Sequence, residues 1–102
     1  MNNQEEELMS VDATYYVELA NRLERLEDNE DFKALILDGY MRDKALDSVS
    51  LLANPAVKRG GERPDIMEDL VAISNLQYYF NMIKNLGTIA EDELAEDEED
   101  EA

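Results

Sequence analysis

The chain has 102 residues, 44% of them apolar, and 26 acidic against nine basic residues give it a net charge of −17. It contains no cysteine and no histidine, which excludes disulfides, thiolate nucleophiles, Cys/His zinc sites and imidazole acid–base catalysis. A single small domain with a modest core is therefore expected, and its acidic surface should repel both nucleic acid and anionic lipid.

The N-terminus "MNNQEEELMS" is acidic where a signal peptide would be basic, and no apolar run approaches the roughly 18 residues that cross a bilayer. A soluble protein of a reducing compartment is the expectation. Residues 1 to 10 have no apolar period and read as a flexible lead. Ser10 and Asp12 then offer an N-terminal cap and first-turn charge, and Tyr16, Leu19, Leu23 and Leu26 follow at spacings of 3, 4 and 3, predicting a helix over 11–27.

At Asp28-Asn29 the pattern restarts. Asn29 can cap a helix whose first turn holds Glu30 and Asp31, close to the positive end of the macrodipole. Phe32, Leu35 and Ile36 would form its buried face. Gly39 costs about 1 kcal/mol relative to alanine inside a helix but little as a left-handed C-terminal cap. Two helices, 30–38 and 40–53, meeting at a Gly39-Tyr40 corner are expected, with one bent helix as the alternative. Leu46, Val49, Leu52 and Ala53 would carry the second buried face, and Asn54-Pro55 ends it, because proline disfavours helical backbone in the residue before it.

"NPAVKRGGERP", residues 54–64, reads as a loop with three basic residues, Lys58, Arg59 and Arg63. It is either a mobile arm for an acidic partner, such as a neighbouring subunit's tail, or a solvated turn. From Asp65 onward Ile66, Leu70, Ile73, Leu76, Phe80, Ile83, Gly87, Ala90 and Leu94 recur every three or four residues. They predict a helix over 65–90, about 40 Å long. Met67, Val71, Tyr78, Tyr79, Met82 and Leu86 widen its apolar surface beyond a single face. Self-association through this helix is expected, with Tyr78, Tyr79, Phe80, Met82, Ile83 and Leu86 as interface candidates; the competing reading is a helix buried at the centre of its own bundle. In each doublet, Tyr15-Tyr16 and Tyr78-Tyr79, one ring can enter the core while the other covers a boundary. Nine of the 26 acids fall in "EDELAEDEEDEA", residues 91–102, leaving 17 acids against nine bases over residues 1–90. The final stretch reads as a disordered acidic tail.

No motif carries chemistry. A calcium loop starting at Asp28 would place Lys33 at the position that needs glycine and Gly39 at the position that needs a bidentate glutamate. Asp43 with Asp47, and Glu68 with Asp69, are carboxylate pairs of the kind that arise by chance in so acidic a chain. There is no dinucleotide fingerprint, Walker loop or nucleophile elbow. Neither a catalytic residue nor a bound metal or cofactor is expected.

"LERLEDNEDFKALILDGYMRDKALDSVSLLANP", the basic loop, and "LVAISNLQYYFNMIKNLGTIAEDELAE" together resemble small acidic helical proteins of tailed bacteriophages, over residues 19–97. The resemblance rests on Asp31-Phe32-Lys33, Gly39-Tyr40, Leu51-Leu52-Ala53 before Asn54-Pro55, and the Tyr79-Phe80 to Gly87 section. It implies a phage origin, an all-α fold and a virion or assembly role, in the host cytoplasm or incorporated in the particle. The expected architecture is a small helical bundle or hairpin with a long C-terminal helix and an acidic tail. The expected function is a non-catalytic structural or assembly protein, oligomeric through the long helix. Its partners would be phage or host proteins, some with a basic surface, without direct nucleic-acid or membrane binding. A scaffold-like chaperone would use the same interface logic. The alternative is an inhibitor that mimics DNA and occupies the basic cleft of a host protein.

Overall fold

The computed structural model describes the backbone of residues 3–101 and the side chains of residues 13–96. The fold is all-α: α1 (Asn3–Glu27), α2 (Glu30–Phe32), a π-helical segment (Lys33–Lys44), α3 (Ala45–Leu52), α4 (Pro55–Arg59) and the long α5 (Arg63–Glu101). The residues group into two units, one of residues 1–26 with 80–102 and one of residues 27–79.

In the first unit, α1 begins at Asn3, so residues 3–10 are helical where a flexible lead was expected. Ala13 and Leu23 are buried and Tyr16 and Ala20 half-buried, a stripe at spacings of 3, 4 and 3. Leu26, expected on that stripe, is 44% exposed. On α5, Ile83, Gly87 and Ala90 are buried. Gly87 marks a close approach: a Cβ built there would lie 2.5 Å from the Ala20 Cβ and 3.5 Å from the Tyr16 carbonyl oxygen. The acidic stretch does not leave the helix, since α5 continues through Glu91–Glu96 and its backbone stays helical to Glu101. Glutamate and alanine are good helix formers, and a helix already nucleated extends at little cost. Ala90 and Leu94 also prolong the inward stripe, so the expectation of a disordered tail is corrected over these residues; side chains beyond Glu96, and Ala102 altogether, lie outside the described residues.

In the second unit, Asn29 caps as its side chain allows, with Oδ1 accepting the Phe32 N–H at 2.9 Å. The chain then stays helical from Glu30 to Leu52 without a corner. Gly61 is the single described residue with positive φ, so Gly39 is right-handed and the expected Gly39-Tyr40 corner does not form. Residues 33–44 instead widen into a π-helix, in which each N–H reaches the carbonyl five residues back. Gly39 suits this winding. A Cβ there would sit 3.0 Å from the Ala34 carbonyl oxygen, five residues back, so the missing side chain leaves that acceptor room.

The half-buried positions are Phe32 and Lys33, Ile36 and Leu37, Gly39 to Met41, then Ala45, and none of residues 32–45 is fully buried. Leu35, expected inside, is 71% exposed. In α3, Ser48 is buried and Leu52 half-buried, while Leu46 and Val49, expected inside, are 62% and 54% exposed and Ala53 beyond them is exposed too.

The basic segment is built too. Asn54 Oδ1 accepts the Ala56 N–H at 2.9 Å and Pro55 occupies the first turn, where its missing N–H is not needed. At the other end the Gly61 N–H bonds the Lys58 carbonyl and the Glu62 N–H bonds the Val57 carbonyl, with Gly61 at φ +69°. This paired closure is the Schellman cap, which places glycine at the left-handed position. Val57 is buried beneath it, so the expected loop over 54–64 contains a short capped helix and is not a mobile arm.

Candidate interaction surface

α5 positions the residues of interest. Its inward stripe follows the 3.6-residue period: Ile66, Ile73, Ile83, Gly87 and Ala90 are buried and Leu70, Leu76, Phe80 and Leu94 half-buried. What lies on its outer side is unusual for this chain. Residues 70–90 contain no acid and one charged residue, Lys84, although a quarter of the whole chain is acidic.

Within the second unit that outer side presents Met67, Val71 and Tyr78, exposed by 51%, 55% and 72%. They are four and seven residues apart, on one row of the helix. Ser74 fills the gap in the row and is exposed. Within the first unit, Met82 and Ile89 are exposed on α5, again seven residues apart, with exposed Asn85 between them. The sequence repeats at 11 residues: Met67, Tyr78 and Ile89; Val71 and Met82; Ser74 and Asn85. An 11-residue period is 3.67 residues per turn, close to the 3.6 of the α-helix. Tyrosine, methionine and small polar residues with few charges are the composition of interface centres.

Of the sequence-derived candidates, Tyr78, Tyr79 and Met82 are exposed, Phe80 and Leu86 are half-buried, and Ile83 is 4% exposed. Ile83 therefore belongs to the core, because it lies on the inward stripe and not on the Tyr78 row. Met67, Val71 and Ile89 complete the row and were not among those candidates; the absence of acids and the 11-residue recurrence are the signals that single them out. Neither ring of Tyr78-Tyr79 enters the core. In the Tyr15-Tyr16 pair the rings meet edge to face at 5.3 Å, Tyr15 exposed and Tyr16 half-buried. Tyr40 is half-buried within the π-helix and Gly39 beside it forms no corner.

Lys58, Arg59 and Arg63 are all exposed, at and just before the start of α5. The Arg63 Nε–H donates to the Leu52 carbonyl at 3.0 Å, closing one of the carbonyls that the end of α3 leaves open. The guanidinium has five N–H donors, so this bond leaves most of its capacity for a carboxylate. The carboxylate pairs considered from sequence are spent on ion pairs or solvent. Asp43 accepts from Arg42 at 3.0 Å, and Asp69 lies 3.9 Å from the Lys44 ammonium. The hydrogen bond to Asp43, followed by the charges of Asp43 and Asp38, raises the pKa of Arg42, which is cationic at any working pH in either case. Among the described residues no three acidic side chains converge as they would to hold a metal ion. No described helix is long and apolar enough to cross a membrane. Comparison with known protein families, curated proteins and solved structures finds no match to this chain.

Proposed function

We propose that this protein is a non-catalytic phage component, structural or assembly-associated, that oligomerises through α5 and binds protein partners. The observation that carries the reading is the acid-free stretch 70–90, with Val71 and Tyr78 exposed on α5 in a chain of net charge −17. Large exposed apolar side chains rimmed by polar ones mark protein-binding sites. The charge distribution supports the choice of partner: no acid falls between residues 70 and 90, so protein association through this stretch is opposed less than through the acid-rich stretches 27–31 and 91–96. The phage origin rests on the resemblance of residues 19–97.

A second reading, mimicry of DNA toward a basic host protein, gains from one feature. Mimicry needs carboxylates held on a rigid element, and Glu91, Asp92, Glu93 and Glu96 are on helical backbone. The two readings separate on one measurement. A structural or assembly protein is recovered from purified virions or assembly intermediates at a defined stoichiometry. Absence from particles, together with co-purification of a host DNA-binding enzyme, replaces that reading with the inhibitor.

A further inference from the structure

Within the second unit, α3 and the start of α5 lie side by side and run in opposite directions: the Arg63 Nε–H donates to the Leu52 carbonyl, and further along the Lys44 ammonium lies 3.9 Å from Asp69. Ser48 is the buried residue of α3, and Ile66 and Ile73 are those of α5 in this unit. These positions mark the direction in which each helix faces the other.

Counted from Ser48 in the winding direction, Val49 and Leu46 lie about 100° and 160° around α3. Counted from Ile66, Met67, Tyr78 and Val71 lie about 100°, 120° and 140° around α5. Two antiparallel helices wind in opposite senses when viewed from one end, so these two flanks fall on the same side of the pair. The ion pair marks the other side, since Lys44 and Asp69 are displaced about 40° and 60° against the winding, and they meet. All five apolar residues of the first side are more than half exposed. No acid accompanies them: Asp47, Asp65, Glu68 and Asp69, the acids of α3 and of α5 as far as Tyr79, all lie about 200° or more around their helices.

The size of this side points to its occupant. Val57, Ile66 and Ile73 are the fully buried apolar residues of the unit, fewer than the five left outside, and so small a unit is marginal on its own. At roughly 100 Å² of burial per large apolar side chain, one copy brings about 500 Å², and two copies facing each other bury about 1,000 Å², the area at which a specific interface begins. Half of that comes from each partner, and a two-fold axis is what brings an identical apolar side to meet this one.

We propose that a second copy of this chain covers the apolar side of the α3–α5 hairpin, so that two hairpins pack as four helices about a two-fold axis. This rests on the reading of α5 as an association surface. It adds the occupant, brings in Leu46 and Val49 of α3, and confines the contact to the second unit.

Light scattering of the full chain at micromolar concentration should give twice the chain mass, reduced to one chain by Val49→Glu and by Val71→Glu. Both positions are outside the core, so the helical circular dichroism should persist. Met82→Glu, exposed on α5 in the first unit, should leave the dimer intact. The chain has no cysteine, so a placed thiol gives a second readout that adds no charge. Val71→Cys should be alkylated more slowly as protein concentration rises, whereas Ala72→Cys, exposed and about 240° around α5 from Ile66, should react at one rate throughout. A dimer unmoved by Val49→Glu and Val71→Glu but dissociated by Met82→Glu would overturn the hairpin side and leave association through α5 standing. A wild-type chain that stays a monomer, with Val71→Cys alkylated at one rate, would overturn both, although its recovery from virions would still support a structural or assembly role.

Discussion

Along α5, buried and half-buried residues recur every three or four from Ile66 to Leu94, whereas between Phe32 and Ala45 no residue is fully buried and the half-buried ones cluster at 32–33, 36–37 and 39–41. Both stretches are continuous right-handed helix, and both hold a glycine in mid-element, Gly87 in one and Gly39 in the other. The difference lies in the winding. An α-helix brings residues three and four apart onto one side, while a π-helix spends roughly one residue more per turn. Leu35 lies outside although Phe32, Ile36 and Leu37 beside it are half-buried. The two glycines also differ in what they make room for. Gly87 admits a neighbouring helix, and Gly39 admits a carbonyl of its own helix.

The sharpest way to test this contrast is to truncate one large apolar residue in each stretch. Ile73 is 4% exposed and Leu35 is 71% exposed. Ile73→Ala should cost about 2–4 kcal/mol in urea unfolding, the usual range for a buried aliphatic cut to alanine. Leu35→Ala should fall within about 0.5 kcal/mol of the wild type, as exposed substitutions do. Equal losses would mean that Leu35 is packed inside and not exposed.

Gly87→Ala comes next in size. The new methyl would meet the Ala20 Cβ at 2.5 Å, and the helix-propensity gain of about 1 kcal/mol does not cover an overpacking cost of about 1–3 kcal/mol with the backbone shifts it brings. A net loss is expected, with Ala20→Gly relieving part of it in the double variant. A Gly87→Ala protein more stable than the wild type would show that the two helices do not approach so closely.

The same contrast explains what could be read from the sequence and what could not. The inward stripe of α5 was legible because its apolar residues keep an α-helical period and little else competes with it. Asn29 was legible as a cap because its side chain satisfies N–H groups that any helix start leaves open, whereas Asn54 was legible only as the end of α3 and its capping of α4 was not. The winding after Phe32 was not legible: nothing in "KALILDGYMRDK" distinguishes a wide turn from an ordinary one, and Leu46 and Val49 were also misplaced. Residues 54–64 were read as a loop throughout, because the paired closure on Val57 and Lys58 depends on backbone geometry that composition does not reveal. The surface row of α5 was half legible. Tyr78 and Met82 stood out as large apolar residues, while Met67 and Ile89 gain meaning only with the outward side known and the missing acids noticed.

Gly61→Ala should be smaller again, a loss of about 1–2 kcal/mol, since an alanine held at φ +69° bears the steric penalty of the left-handed region. It is the reference for Gly39→Ala, the smallest effect. A left-handed corner at residue 39 would lose at least as much as Gly61 does. In the right-handed π-helix two modest terms oppose each other instead. Alanine gains about 1 kcal/mol of backbone propensity, and its methyl presses on the Ala34 carbonyl oxygen at 3.0 Å, a contact relieved by a shift of a few tenths of an ångström. The expected change is therefore under about 1 kcal/mol in either direction. Its sign carries information of its own, because the carbonyl being pressed is the one that closes the wide turn. A stabilised variant would mean the segment has relaxed toward α-helical winding, and exchange protection should then rise at residues 33–44. A loss as large as that of Gly61→Ala, measured in the same urea titration, would restore the corner.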